Sequence, residues 1–224
     1  MTNKIEIPTP VQLSIQLRAA HSLQEALRVL AQAYSIHDHY VAQFIADNNV
    51  LLACHDGCDF CCYYRVAVSA HEILIIAEHI KAKWPKKEQN ALILRLDEHS
   101  RTVSDMRKEE QISTNIKCPL LKDSRCSIYS IRPLGCRRHH AQNVEGCKYL
   151  HENPKNMQDR GTCHHELFHA IGQIEEAIGA IFSACHYDTN SYELGMALHE
   201  ALSSPKSFRR WIHKKKAFLY VAHQ

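Results

Sequence analysis

Residues 54–62 read Cys54-His55-Asp56-Gly57-Cys58-Asp59-Phe60-Cys61-Cys62, and further cysteines follow at Cys118, Cys126, Cys136 and Cys147. Zinc ions and iron–sulfur clusters take thiolate ligands, typically about four per site. Spacings of two or three residues let one loop wrap a single centre, and Gly57 permits the tight turn that wrapping needs. Free cysteine is often merely a buried small hydrophobe, and one or two such residues would be read that way. Four within nine residues are too dense for that. The expected metal ligands are therefore Cys54, Cys58, Cys61, Cys62, Cys118, Cys126, Cys136 and Cys147, with an iron–sulfur cluster or zinc as the cofactor. Cys61 and Cys62 are adjacent, so their side chains leave the chain on different sides. The pair suggests two nearby metals, a bridging thiolate, or one ligand with a thiol beside it. Cys163 and Cys185 stand outside the pattern, and Cys185 reads as core.

The rest of the chain can fold without disulfide staples. It has 224 residues, 45% hydrophobic and 23% charged, an ordinary globular composition. The first ten residues are polar with two prolines and contain no apolar signal region. The longest apolar run, Ile73 to Ala77, is far too short to span a bilayer. No membrane is expected, and the compartment expected is the cytoplasm, where thiols stay reduced and bind metal. A net charge of +3 does not call for a nucleic-acid partner. Arg209, Arg210, Lys214, Lys215 and Lys216 gather near the end, where a basic last helix complements its own dipole. A protein partner is not identified.

Apolar periodicity makes most of the chain helical. Val11 to about Asn48 reads as one long or two shorter helices, with Leu13, Leu17, Leu23, Leu27 and Leu30, then Val41, Phe44 and Ile45, along one stripe. His37-Asp38-His39 would mark a bend. Tyr64 to Val68 reads as a short strand. Ser69 with Glu72 forms a capping box for a helix to about Lys83. Pro85 opens another, to about Glu110. Residues 118–129 read as strand, turn, strand, and 138–161 as loop. Helices follow from Thr162 or Cys163 to Ala184, over Ser191 to Leu202, and from Pro205. The fold class is mainly α, a helical protein with a small irregular β/loop metal-binding subdomain. The domains expected are an N-terminal helical segment over 1–49, a cysteine-cluster domain over 50–150 with inserted helices at 70–110, and a C-terminal helical segment over 151–224.

The cysteine pattern resembles the family of zinc- or iron-chelating cysteine-cluster proteins named for its C-x(2,3)-C-x-x-C-C motif. Cys54, Gly57, Cys58, Cys61 and Cys62, then Val66, Val68 and Glu72, carry the first part of the likeness. The second part resembles C-P-x-L, a turn, then C-x-I-Y-x-x-R-P-x-x-C-R. Cys118, Pro119, Leu121, Cys126, Ile128, Tyr129, Arg132, Pro133, Cys136 and Arg137 meet it, and Cys147 falls where the family places its eighth cysteine. The likeness covers roughly residues 50–150 and implies a metal site rather than a reaction. A related, longer group, the flagellin lysine N-methylases, shares the motif, but no S-adenosylmethionine pocket is recognisable here. Beside the thiolates, Arg132, Arg137 and Arg138 either offset thiolate charge or hold a turn.

Two catalytic patterns compete. Cys54, Cys58 and Cys61 also fit the radical S-adenosylmethionine signature. That signature follows a barrel strand, whereas here a long helix precedes it. His165-Glu166-Leu167-Phe168-His169 fits H-E-x-x-H, with Gly172 and Glu175 extending it towards a third zinc ligand. Leu167, Ile171, Ile174, Ile178 and Ile181 form the core stripe of the same helix, which puts His165 and His169 on the solvent side. The leading function is metal binding, by iron–sulfur or zinc, with a redox, sensing or metal-assisted modification role. A zinc-stabilised interaction module without catalysis is the alternative, and an HExxH-type zinc hydrolase the second. Catalytic residues are unknown.

Overall fold

The computed structural model describes residues 9–20, 22–55, 57–156 and 163–219. The polar segment 1–8, and Thr162 as a helix start, lie outside the described residues. Two helices open the chain, α1 (Pro10–Arg18) and α2 (Leu23–Asp47), each entered through a capping box. Thr9 and Gln12 exchange hydrogen bonds at the first, Ser22 and Glu25 at the second. His37-Asp38-His39 does not interrupt the chain's helix, because α2 is continuous from Leu23 to Asp47. His37 is instead buried, its Nδ1 3.0 Å from the Asp38 carboxylate. Leu13, Leu17 and Leu30 enter the core, while Val41, Phe44 and Ile45 are only half-buried.

A 3-10 turn at Phe60–Tyr63 precedes β1 (Ala67–Ser69), which runs directly into α3 (Ala70–Lys83). Ile73, Leu74, Ile76, Ala77 and Ile80 of α3 are all buried, as are His71 and Glu72. A helix buried on so many sides belongs at the centre of its fold. The predicted helix 85–110 is two, α4 (Lys86–Ser104) and α5 (Lys108–Ile112). A new capping arrangement at Arg107, whose N–H donates to Glu110, restarts the chain after Asp105. The strand, turn and strand expected from 118 appear as β2 (Leu121–Lys122) and β3 (Arg125–Cys126), paired antiparallel. Asp123 and Ser124 between them have φ of 51° and 57°, as a tight hairpin with the strands' own twist requires.

A 3-10 turn at Tyr129–Ile131 leads to the short α6 (Leu134–Arg137), then α7 (Val144–Glu152). Segment 138–161, read as loop, thus contains a helix. Asn143 starts it, accepting the Gly146 N–H at 2.6 Å. After α8 (His165–Ala184) comes β4 (Ser191–Glu193), then α9 (Leu194–Ser203) and α10 (Lys206–Ile212). The helix expected from Ser191 therefore begins three residues late, because 191–193 pair with 67–69 as a two-stranded antiparallel sheet.

That pairing sets α3 and α9 side by side, with α4 against the far flank of α9. The other face is built by α8 packing on α1 and α2. One continuous core joins them, from Leu13 and Leu17 through Ile73, Ile80 and Phe182 to Trp211 and Phe218. Among the described residues no helix is long and apolar enough to cross a membrane. The tightest approach is at Gly195, where an added Cβ would lie 2.3 Å from the His99 ring. That ring is held by Glu193, Nε2 to Oε1 3.0 Å, with the glutamate buried and the histidine partly so. Gly195→Ala must push His99 off this carboxylate. It is expected to destabilise folding by about 1–3 kcal/mol in urea titrations.

Candidate metal centre

The first motif folds as a chain of tight turns. Gly57 adopts φ +84°, the Cys58 N–H reaches the His55 carbonyl at 3.1 Å, and the Cys62 N–H reaches Asp59 at 2.8 Å. The second motif is laid against it by two backbone bonds, from Ile116 N–H to Tyr63 and from Cys118 N–H to Cys62, at 3.1 and 2.8 Å. Cys126 lies on β3 and Cys136 on α6, whose entry Pro133 sets. Cys147 is buried on α7, which packs against the 60–63 turn through His151, its ring 5.7 Å from Phe60 and 4.7 Å from Tyr63. None of the ten cysteines is in a disulfide.

The thiols feel one another. Cys61 hydrogen-bonds with Cys62, and that bond, with burial and the neighbouring charge, pushes its pKa far up. Burial pushes Cys118 up to about 12. Cys136 is raised well above its ordinary value by burial and then by Cys118, Cys61 and Cys126. Cys126 is raised by burial and by Cys61. Cys58 lies between the groups, raised by burial and by both Cys54 and Cys61. The opposing charge is Arg132, which favours the thiolate at Cys61, Cys126 and Cys136. A nest of half-buried thiols that resist ionising one by one suits a cation, which takes the place of several protons at once. The donor set thus fits zinc or iron. Among the described residues, no three His, Cys, Asp or Glu side chains stand close enough together to hold one ion. The sulfurs are neighbours rather than a closed coordination sphere.

Of the three arginines, only Arg132 turns to the thiols. Its guanidinium also stacks 4.0 Å over the Tyr129 ring. The turn-holding role falls to Arg137, which donates to the carbonyls of Arg132 and Ser130 and through Nη1 to both Asp38 oxygens at 2.6 and 2.7 Å. Arg138 faces away, paired with Glu175 at 3.0 Å and lying over Phe168.

Sequence reasoning saw Glu72 as a helix cap, and it does accept the Ser69 N–H at 3.2 Å. Its other oxygen accepts from Tyr34 Oη at 2.9 Å and from the Leu134 N–H at 2.8 Å. One buried carboxylate therefore ties α2 and α6 to α3. Cys185 is buried core, as expected. Cys163 is brought to the edge of the cysteine domain, Sγ 3.2 Å from His139 Nδ1. His165 and His169 are exposed on α8, Nε2 to Nε2 3.1 Å.

A family model, CxxCxxCC, described as "Putative zinc- or iron-chelating domain", matches residues 53–164, half of the chain. No curated protein and no solved structure matches it.

Proposed function

Because the chain belongs to the CxxCxxCC family of zinc- or iron-chelating domains, we propose that it is an iron–sulfur protein with a redox, sensing or metal-assisted modification role. Its ligands are Cys54, Cys58, Cys61, Cys62, Cys118, Cys126, Cys136 and Cys147. The chelating unit is residues 50–150, and the flanking segments 1–49 and 151–224 are its helical supports. The observation that carries this reading is that backbone bonds from Cys118 N–H to Cys62 and from Ile116 N–H to Tyr63 lay the second cysteine motif against the first, with Arg132 facing Cys61, Cys126 and Cys136. When bound, a cluster would supply reversible one-electron chemistry. The chain's own residues bind it, offset its charge through Arg132 and keep water from its buried side.

A tetrahedral zinc and an iron–sulfur cluster each use about four thiolates, so the surplus of cysteines leaves room for a multi-metal centre. A zinc-stabilised interaction module is the runner-up, supported by the same donors. The H-E-x-x-H hydrolase is not favoured, since Glu175, its third-ligand candidate, is engaged by Arg138. Ten cysteines with no disulfide among them accord with a reducing compartment, which we take to be the cytoplasm.

Cys61→Ser and Cys118→Ser are each expected to remove more than about half of the bound metal, read by elemental analysis of protein purified without oxygen. Wild-type metal content in both variants would refute the proposal.

A further inference from the structure

Charge is spread unevenly along this chain. Residues 81–88 and 200–216 carry ten lysines and arginines against two carboxylates, Glu88 and Glu200, so the rest of a +3 chain is net acidic. The fold brings these two segments to one corner. Lys81, in the last turn of α3, donates through Nζ to the Ala201 carbonyl of α9 at 3.0 Å and lies 4.2 Å from the centre of the Phe208 ring on α10. Gln89 of α4 fixes the corner, donating through Nε2 to the carbonyls of Lys81 and Trp84 at 3.3 and 2.8 Å. Glu200 is taken by Arg210. Lys83, Lys86, Lys87, Lys206, Arg209 and Lys215 are exposed, and among the described residues none of them is ion-paired.

Helix stability accounts for only part of this charge. Lys81 serves the carbonyl end of α9, as a cation at a helix C-terminus should. Lys86 and Lys87 stand in the first turn of α4, where a positive charge opposes the helix dipole. Exposed like charges at the wrong end of a helix weaken the fold, and a bound polyanion relieves them. We infer that this corner binds single-stranded nucleic acid. The lysines and Arg209 take phosphates and release their counterions. Trp84, half-buried beside Lys83, offers a ring on which a base stacks. An anionic membrane is the poorer fit, because the apolar side of α10 is already covered: Trp211 is buried, and Phe208 and Ile212 pack on the core. The site uses none of the eight cysteines, so it stands apart from the metal reading.

The test uses full-length protein purified without oxygen and a fluorescein-labelled, mixed-sequence single-stranded oligonucleotide, read by anisotropy. With about four phosphates neutralised, affinity is expected to fall about fiftyfold between about 50 and 200 mM salt. Lys86→Gln combined with Lys87→Gln is expected to weaken binding by about tenfold and to flatten the salt dependence. Lys108→Gln, an exposed charge on α5, is expected to change nothing. Trp211 is buried, so stacking quenches the emission of Trp84, and Trp84→Phe removes that quench. Metal content is expected to be the same in all these variants, which separates failure here from failure of the metal proposal. No binding at about 50 mM salt, or unaltered binding by the double variant, overturns the inference. Tighter binding of a duplex of the same sequence overturns the single-strand assignment. Binding to phosphatidylserine vesicles without binding to the oligonucleotide gives the corner to a membrane instead.

Discussion

Glu72→Ala is expected to destabilise the fold by about 3–5 kcal/mol, the largest loss for any single substitution considered. The carboxylate is 2% exposed and satisfies three donors: Tyr34 Oη, Leu134 N–H and Ser69 N–H. Truncation leaves a phenol and two backbone amides without acceptors in the interior, each costing about 1–3 kcal/mol, and opens a cavity beside them. Relief from burying a carboxylate offsets part of this. Glu72→Gln keeps an oxygen for Tyr34 and Leu134 but turns an amide towards Ser69 N–H, so about 1–2 kcal/mol is expected. Urea unfolding measures both. Burial, only partly offset by hydrogen bonds from Leu134 and Tyr34, raises the Glu72 pKa above its ordinary value of 4.5. The native state therefore binds this proton more tightly than the unfolded chain does. Stability falls as pH rises from 4.5 through the native value. Glu72→Gln lacks that slope, so its deficit against wild type should narrow across the window.

Arg137→Ala is the second large effect, expected at about 2–4 kcal/mol. Its guanidinium is nearly buried, serves the Asp38 carboxylate and the Arg132 and Ser130 carbonyls, and lies 4.7 Å from the centre of the Tyr34 ring. Losing it frees the carbonyls of the turn that aims Arg132 at the thiols. Half of the Asp38 side chain is exposed, so water recovers that carboxylate, which keeps the loss below that of a fully buried pair. Burial pulls the Asp38 pKa up, but hydrogen bonds from His37 and Arg137 outweigh it, and the net shift is downward from 3.8. The stability this supplies is present above 3.8 and is lost as pH falls through the lower native value. Arg137→Ala should therefore show a shallower acid limb than wild type. It should also retain metal less well, because Cys136 sits on the helix that Arg137 anchors.

These two residues show where sequence reading reaches its limit. Local signals were legible: the cysteine spacings, the Ser69–Glu72 cap, the 121–126 hairpin and the apolar run that became the buried α3. Each rests on residues within a few positions of one another. Tyr34 and Leu134 lie 38 and 62 residues from Glu72, and Asp38 lies 99 from Arg137, so no periodicity reports them. The missed α7 is short, and its start depends on one asparagine side chain that reads equally well as loop. The extended residues 191–193 depend on a partner strand more than a hundred residues away. His37-Asp38-His39 suggested a bend, whereas His37 is buried within α2 with its Nδ1 on the Asp38 carboxylate. For the site, the eight cysteines could be counted from the chain, but the backbone contacts of Cys54 with His139 and Ala141 needed the fold.

The central claim is that the clustered, half-buried thiols hold an iron–sulfur cluster. Iron and acid-labile sulfide, measured with an absorption spectrum on untagged protein purified without oxygen, test it most directly. The account predicts iron and sulfide in comparable amounts and a broad band near about 400 nm that bleaches in air. Zinc alone, with a colourless spectrum, would contradict it and leave a zinc-stabilised module in its place.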